Sequence, residues 1–290
     1  MDLSDFPLTR PLANRFREIV SGSKDGAPNW VAEMESGDAG LFGIDSAVWQ
    51  VHGCISTVIG GIRALLLQAA HPAALMGVAE NSRYQSDPIG RLIGTTKWLT
   101  ITTFGSTEAI AREARRVNEM HKRVVGPTYD ARDPKNLLWV HCAFTDSFLK
   151  AHLALGYKID KGGDSYVKDW AKSAIPLGLA RAPESVSELE AELTRFRREE
   201  LGKTAKTDDV VKFILRPPFS RIGLIFYSVM ANAAVATLDD FDRELLGLKK
   251  RGKGWLKFAR ILLNILSAIL GHEPPAKKIA RKRVSALSQI

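Results

Sequence analysis

The sequence predicts an all-α protein, one helical domain followed by a basic tail, and three observations carry that expectation. Nowhere does apolar-polar alternation persist as it does in a half-buried strand. The one candidate, residues 101–104, lies inside a segment that reads as helix from Pro88 onward. Helix-opening caps recur along the chain, and 45% of its 290 residues are hydrophobic, enough to bury a substantial core. With no composition shift before about residue 247 and no internal repeat, the chain divides into an extension (1–38), a domain (39–248) and a basic helix with its tail (249–290).

Taken in order, residues 1–45 are punctuated by Pro and Gly. Short helices and loops are expected there, around the apolar patches at 16–20 and 30–34. Asp45 or Ser46 can cap the first helix. Gly60 and Gly61 mark either a break or a close packing point before a long apolar helix over 62–79, which belongs at the centre of the fold. Asp87 before Pro88 and Asp133 before Pro134 each pair a cap with the residue best tolerated in a first turn. Between them, Ser106 to Glu108 open a helix that Gly126 and Pro127 close. Ser185 and Glu188 form a capping box, and Arg216-Pro217-Pro218 separate two later helices, the second over 219–238.

Charge is concentrated at one end. Residues 249–290 hold eleven Lys or Arg against the single acid Glu273, a local charge of +10, so the rest of a chain with formal charge +9 is about neutral. The two cysteines, Cys54 and Cys142, lie among apolar neighbours, as free core thiols in a reducing compartment would. No secretory signal is evident, and the longest apolar runs, 222–238 and 255–270, fall short of the roughly 20 residues of a bilayer span. A cytoplasmic protein is expected.

The stretch from Gly60 to Gly126 says most about function. On the helix opened at Thr107, residues Ile110, Ala114, Val117, His121 and Val124 share one face, which predicts a buried His121. A buried neutral imidazole must satisfy two ring nitrogens. From these residues alone a hydrogen-bonded core histidine is the plainer reading, and a metal ligand the sharper one. Arg91 and Thr95 share a face with Trp98 and Thr102. An inward arginine needs a matching charge, which a haem propionate, an acidic substrate or a protein acid such as Asp87 would give. His52, His71 and His141 are further histidines on apolar helices. No HExxH, Glu-x-x-His pair, GxSxG, GxGxxG after a strand or P-loop is present.

At these residues the chain resembles the MpaB and rubber-oxygenase family. The matching blocks, in order, are GLFGIDSAVWQVHG, GGIRALLLQAAHPAALMGVAENSRY, DPIGRLIGTTKWLTITTFGS, RRVNEMHKRVVG and YDARDPKNLLWVHCAF, within about residues 39–248. The resemblance implies a single globin-like helical domain with a buried haem b pocket, and His121 as the residue in the helix that supplies the iron ligand. It matches Arg91 and Thr95 to an Arg-x-x-Lys-Thr pattern beside the haem, with Gly94 where that pattern has lysine; Lys97 lies one turn on. Glu80 is the nearest acid for the base that latex-clearing members use, and His71 is a candidate for the distal side. The chemistry implied is addition of dioxygen across a C=C bond of a hydrophobic, isoprenoid or lipid-like substrate, with cleavage to two carbonyls. The alternatives are a non-catalytic haem-binding sensor or carrier and a helical ligand-binding protein without haem.

In the tail, Leu256, Ala259, Leu263, Leu266 and Leu270 share one helical face and Lys257, Arg260 and Asn264 another. The plainer expectation is a helix packed on the domain. The other is that this helix and the cluster KKIARKR lie on the anionic cytoplasmic face of a membrane. Nucleic-acid binding is disfavoured, because the cluster has no interleaved aromatics.

Overall fold

The computed structural model describes residues 29–81 and 88–287, together with residues 14, 18 and 23. Within helices, the side chains of residues 88, 89, 91, 92 and 222 fall outside that description. The patch at 16–20 and the cap at Asp87 also lie outside the described residues, apart from Glu18. Among the described residues there are thirteen α-helices: α1 (Ala47–His52), α2 (Thr57–Ala69), α3 (Pro72–Asn81), α4 (Pro88–Phe104), α5 (Thr107–His121), α6 (Pro134–Ala154), α7 (Gly162–Ala171), α8 (Val186–Glu199), α9 (Thr207–Leu215), α10 (Arg221–Ala236), α11 (Asp240–Leu245), α12 (Gly254–Leu270) and α13 (Pro275–Leu287). Short 3₁₀ helices cover Asn29–Met34 and Lys172–Leu177, and a hairpin pairs β1 (Val125–Gly126) with β2 (Tyr129–Asp130). The protein is all-α, as its sequence predicts.

The caps explain where the helices start. Ser46, Ser106, Asp133 and Ser185 each accept a backbone N–H of the first turn through the side chain. One expectation needs correcting: the single helix over 62–79 is two helices, α2 and α3, meeting at 102°. Pro72 explains the bend, since it lacks an N–H to continue the ladder and disfavours helical geometry at His71 before it. The apolar pattern runs through the corner because both helices are partly buried.

α2 is the centre. It packs chiefly on α6 and also on α9 and α10. Gly60 permits the closest approach, because a Cβ there would lie 2.5 Å from the Phe148 ring on α6; of the two readings of Gly60, close packing is the one found. Arg63 is fully buried, its Nη1 2.7 Å from the Asp146 carboxylate and donating to Ser147 Oγ, its Nε donating to Thr237 O. Both flanks join the same core through Val31, Met34, Ala259, Leu263, Ala276 and Ala280. α13, which the charge cluster conceals in the sequence, is anchored by buried Arg283 donating to the carbonyls of Met34 and Phe104.

His52 is the hydrogen-bonded core histidine of the plainer kind, between Thr103 Oγ1 and Tyr166 OH at 2.9 Å each. Burial, with a smaller contribution from His152, pushes its pKa down to about 3. The unfolded chain therefore binds a proton between about pH 6.5 and pH 3 that the folded chain refuses, so stability is lost as pH falls through that window. The expected slope is about 1.4 kcal/mol per pH unit for each such group. Denaturant titrations from pH 7 to 4 should give His52→Gln a shallower slope by about one proton; an unchanged slope would mean that His52 is charged in the folded state.

Candidate functional site

A cavity of about 520 Å³ lies between α3, α4, α5, the hairpin, α6 and the 3₁₀ helix after α7. That size falls within the roughly 300–1,000 Å³ of small-molecule and cofactor sites. Its walls are largely apolar. Ala73, Ala74 and Gly77 on α3 and Gly90 and Gly94 on α4 bring the cavity close to helix backbone. A Cβ on Gly94 would meet nothing within 4 Å, so open space continues to the main chain at that point. The small residues make room, and the bend at Pro72 turns α3 from the core into a wall of the cavity.

His121 lines this cavity from the last residue of α5. The face predicted for that helix is the inward one, with Ile110, Ala114 and Val117 buried. His121 itself is half-buried rather than buried, because the helix ends there and its last turn opens onto the cavity. No hydrogen bond reaches its ring among the described residues. Burial lowers its pKa below the ordinary histidine value, opposed by the Asp130 carboxylate. That carboxylate is held by Arg132 at 2.8 Å. The imidazole is therefore neutral at pH 7, with no partner for its ring lone pair among the described residues.

A second imidazole lines the same cavity. His141, midway along α6, has an Nε2 that is buried with no hydrogen-bond partner among the described residues. Burial pushes its pKa down to about 4. Such an orphaned atom calls for a ligand or another explanation. The two imidazoles come from different packing units, since α5 packs mainly on α4 and the Lys172–Leu177 helix while α6 packs mainly on α2.

Thr95 and Trp98 line the α4 wall, and Thr102 of the same face is fully buried. The backbone of Arg91 belongs to α4, but its side chain lies outside the described residues. Lys97 sits 3.4 Å from buried Glu113, which also takes both oxygens to Arg116 Nε at 2.9 and 3.0 Å; this cation pair was not foreseen, since periodicity puts Glu113 off the inward face. Glu80 is exposed and is not among the lining residues. It accepts a 2.7 Å hydrogen bond from Tyr129 OH, a lining residue whose phenol also accepts from Asn81 Nδ2 at 2.7 Å. The bond to Glu80 raises the Tyr129 pKa. His71 is not brought to the cavity: it is buried against Trp139, its Nδ1 accepts from Ala74 N, and its Nε2 lies 3.6 Å from Glu200, an ion-pair distance.

Among the described residues no group of three His, Cys, Asp or Glu is arranged to hold a bare metal ion. A metal here would have to bring most of its own donors, as a porphyrin brings four nitrogens, and would need only one or two further ligands from the protein. A neutral imidazole without a partner among the described residues, a second one with an orphaned Nε2 and a wall of small residues fit that group.

A helical domain surrounds an apolar cavity lined by His121 and His141, whose rings have no hydrogen-bond partner among the described residues, an architecture with room for a small molecule or cofactor. Residues 49–268, about three quarters of the chain, match the family described as "ER-bound oxygenase mpaB/B'/Rubber oxygenase, catalytic domain", and the protein belongs to that family. No curated protein and no solved structure matches the chain. The family is one of oxygenase catalytic domains, and its rubber-oxygenase members are generally haem-dependent.

Proposed function

We propose that this protein is a haem b-dependent oxygenase acting on a hydrophobic unsaturated substrate, isoprenoid or lipid-like, with His121 as the protein ligand to the iron. The observation that carries this reading is the neutral ring of His121, without a hydrogen-bond partner among the described residues, in an apolar cavity of cofactor size and in a chain that belongs to an oxygenase family. When bound, the haem supplies dioxygen activation for addition across a C=C bond, both oxygen atoms ending in the two carbonyl products.

The chain's own residues supply the rest. His121 would hold the metal from the last turn of α5. Thr95 and Trp98 would bound the cofactor from α4, and Arg91, one turn earlier in the sequence, would be the cation for a propionate. Leu99, Val117, Leu137, Val140 and Phe144 exclude water and offer a hydrocarbon substrate an apolar surface. Glu80 serves as the base through Tyr129, whose phenol proton it holds at the cavity edge. His141 donates to, or accepts from, whatever occupies the space beside α6.

The test is an absorption spectrum of the purified full chain, as isolated and after addition of haem, followed by oxygen uptake with polyisoprenoids and unsaturated lipids. A Soret band and uptake with at least one substrate are expected. A Soret band without uptake across a broad panel would favour a haem-binding sensor or carrier, a reading supported by Gly94 in the lysine position. No Soret band after haem addition would leave a helical ligand-binding protein.

A further inference from the structure

α12 is apolar on two sides. Its inner stripe, with Ala259 and Leu263 fully buried and Leu256 and Leu266 partly so, packs on α10 as the plainer reading of the tail expects. The outer stripe of a packed surface helix is ordinarily polar. Here it carries Phe258, Ile261 and Ile265, exposed to 66%, 59% and 52%. α10, the helix that α12 packs on, adds Ile225 and Phe226, exposed to 66% and 51%. Large apolar residues massed on two adjoining helices mark an interaction surface.

The charges nearby say what kind. Lys249, Arg251 and Lys253 lead into α12, Lys257 lies on it, and Lys278 and Lys282 follow on α13. All six are exposed, and none has an acidic partner among the described residues. We propose that this face docks on an anionic phospholipid bilayer, with Phe258, Ile261 and Ile265 entering the acyl boundary and the unpaired cations meeting the headgroups. A second copy of the chain is a poor fit, because joining two such faces would oppose two unneutralised basic runs. The contact is a surface one. Among the described residues no helix is long and apolar enough to cross a membrane, and α13, bent 62° from α12, is held to the domain by Arg283. This inference does not depend on haem.

Flotation of the full chain with vesicles tests it. Binding is expected to vesicles of phosphatidylcholine with a third phosphatidylserine, and to be at least roughly tenfold weaker with phosphatidylcholine alone, since each cation near an anionic surface contributes about fivefold. Raising salt to about 0.5 M should release the protein. A Phe258→Ser/Ile261→Ser variant should lose binding by roughly tenfold or more while keeping its thermal melt, because both side chains are already in water. Ile225→Ser/Phe226→Ser is an independent variant pair on α10, expected to weaken binding in the same direction. The proposal is overturned by absence of binding to anionic vesicles, by undiminished binding of both variants, or by a dimer in solution that the same substitutions convert to monomer.

Discussion

His121→Ala is expected to fold normally and to lose the haem. Alanine is the best helix former, and His121 is half-buried at the end of α5 with no hydrogen bond to its ring among the described residues, so little stability rests on the side chain. The iron, by contrast, loses the ligand itself. Since removal of even an outer partner of a metal ligand costs about 10–100-fold in affinity, haem affinity should fall by more than about 100-fold. The Soret band should weaken and shift, and added imidazole should restore it by entering the space left behind. Full haem occupancy with an unchanged spectrum would sink the assignment and transfer it to His141, whose orphaned Nε2 lines the same cavity.

The largest effect on stability is expected at the opposite side of α6. Asp146→Ala should destabilise the domain by about 3–5 kcal/mol, the usual result of leaving one charge of a buried pair alone. Arg63 is fully buried on α2, and Asp146 supplies the carboxylate at 2.7 Å, a contact of charge rather than of an aligned hydrogen bond. The loss also reaches Lys150, which sits 3.3 Å from Asp146 and 2.8 Å from Asp239, and so disturbs the cluster that Arg197 forms with Asp239 and Asp242. In a domain of this size the melting temperature should drop by roughly 10 °C. An Arg63→Met/Asp146→Ala double variant should recover part of that loss, because it removes the stranded charge as well. A double variant less stable than the single one would mean that the guanidinium is held by Ser147 and Thr237 alone.

What could be read in the sequence follows the range over which each signal acts. Ser106, Asp133 and Ser185 were legible because a cap and the first turn it serves are two or three residues apart. The corner at Pro72 was hidden, since the hydrophobic pattern that suggests one helix is blind to direction. His121 was legible as inward-facing from its periodicity, but how much water reaches it depends on where α5 stops. Tyr129 could not be matched with Glu80, because the two are 49 positions apart and only the hairpin brings them together. The cavity itself had no sequence signature. It arises from small side chains at 73, 74, 77, 90 and 94 that mean little until α3 and α4 face one another. In the tail, periodicity found the inner stripe, with Ala259 and Leu263 buried and Leu256, Leu266 and Leu270 partly so, but it hid Phe258, Ile261 and Ile265 behind the lysines beside them.

The 102° corner between α2 and α3 divides one apolar stretch of sequence into two kinds of evolutionary liability. Upstream of Pro72, a substitution is answered by the whole interior, and few replacements survive beside Gly60 or Arg63. Downstream, Ala73 and Ala74 border the cavity, where an added methyl or two reshapes what can enter without loosening the framework, although Gly77 between them and the hairpin has little room, a Cβ there lying 3.2 Å from Val124. Diversification toward new guests can therefore accumulate on α3 while the segment ten residues earlier stays fixed.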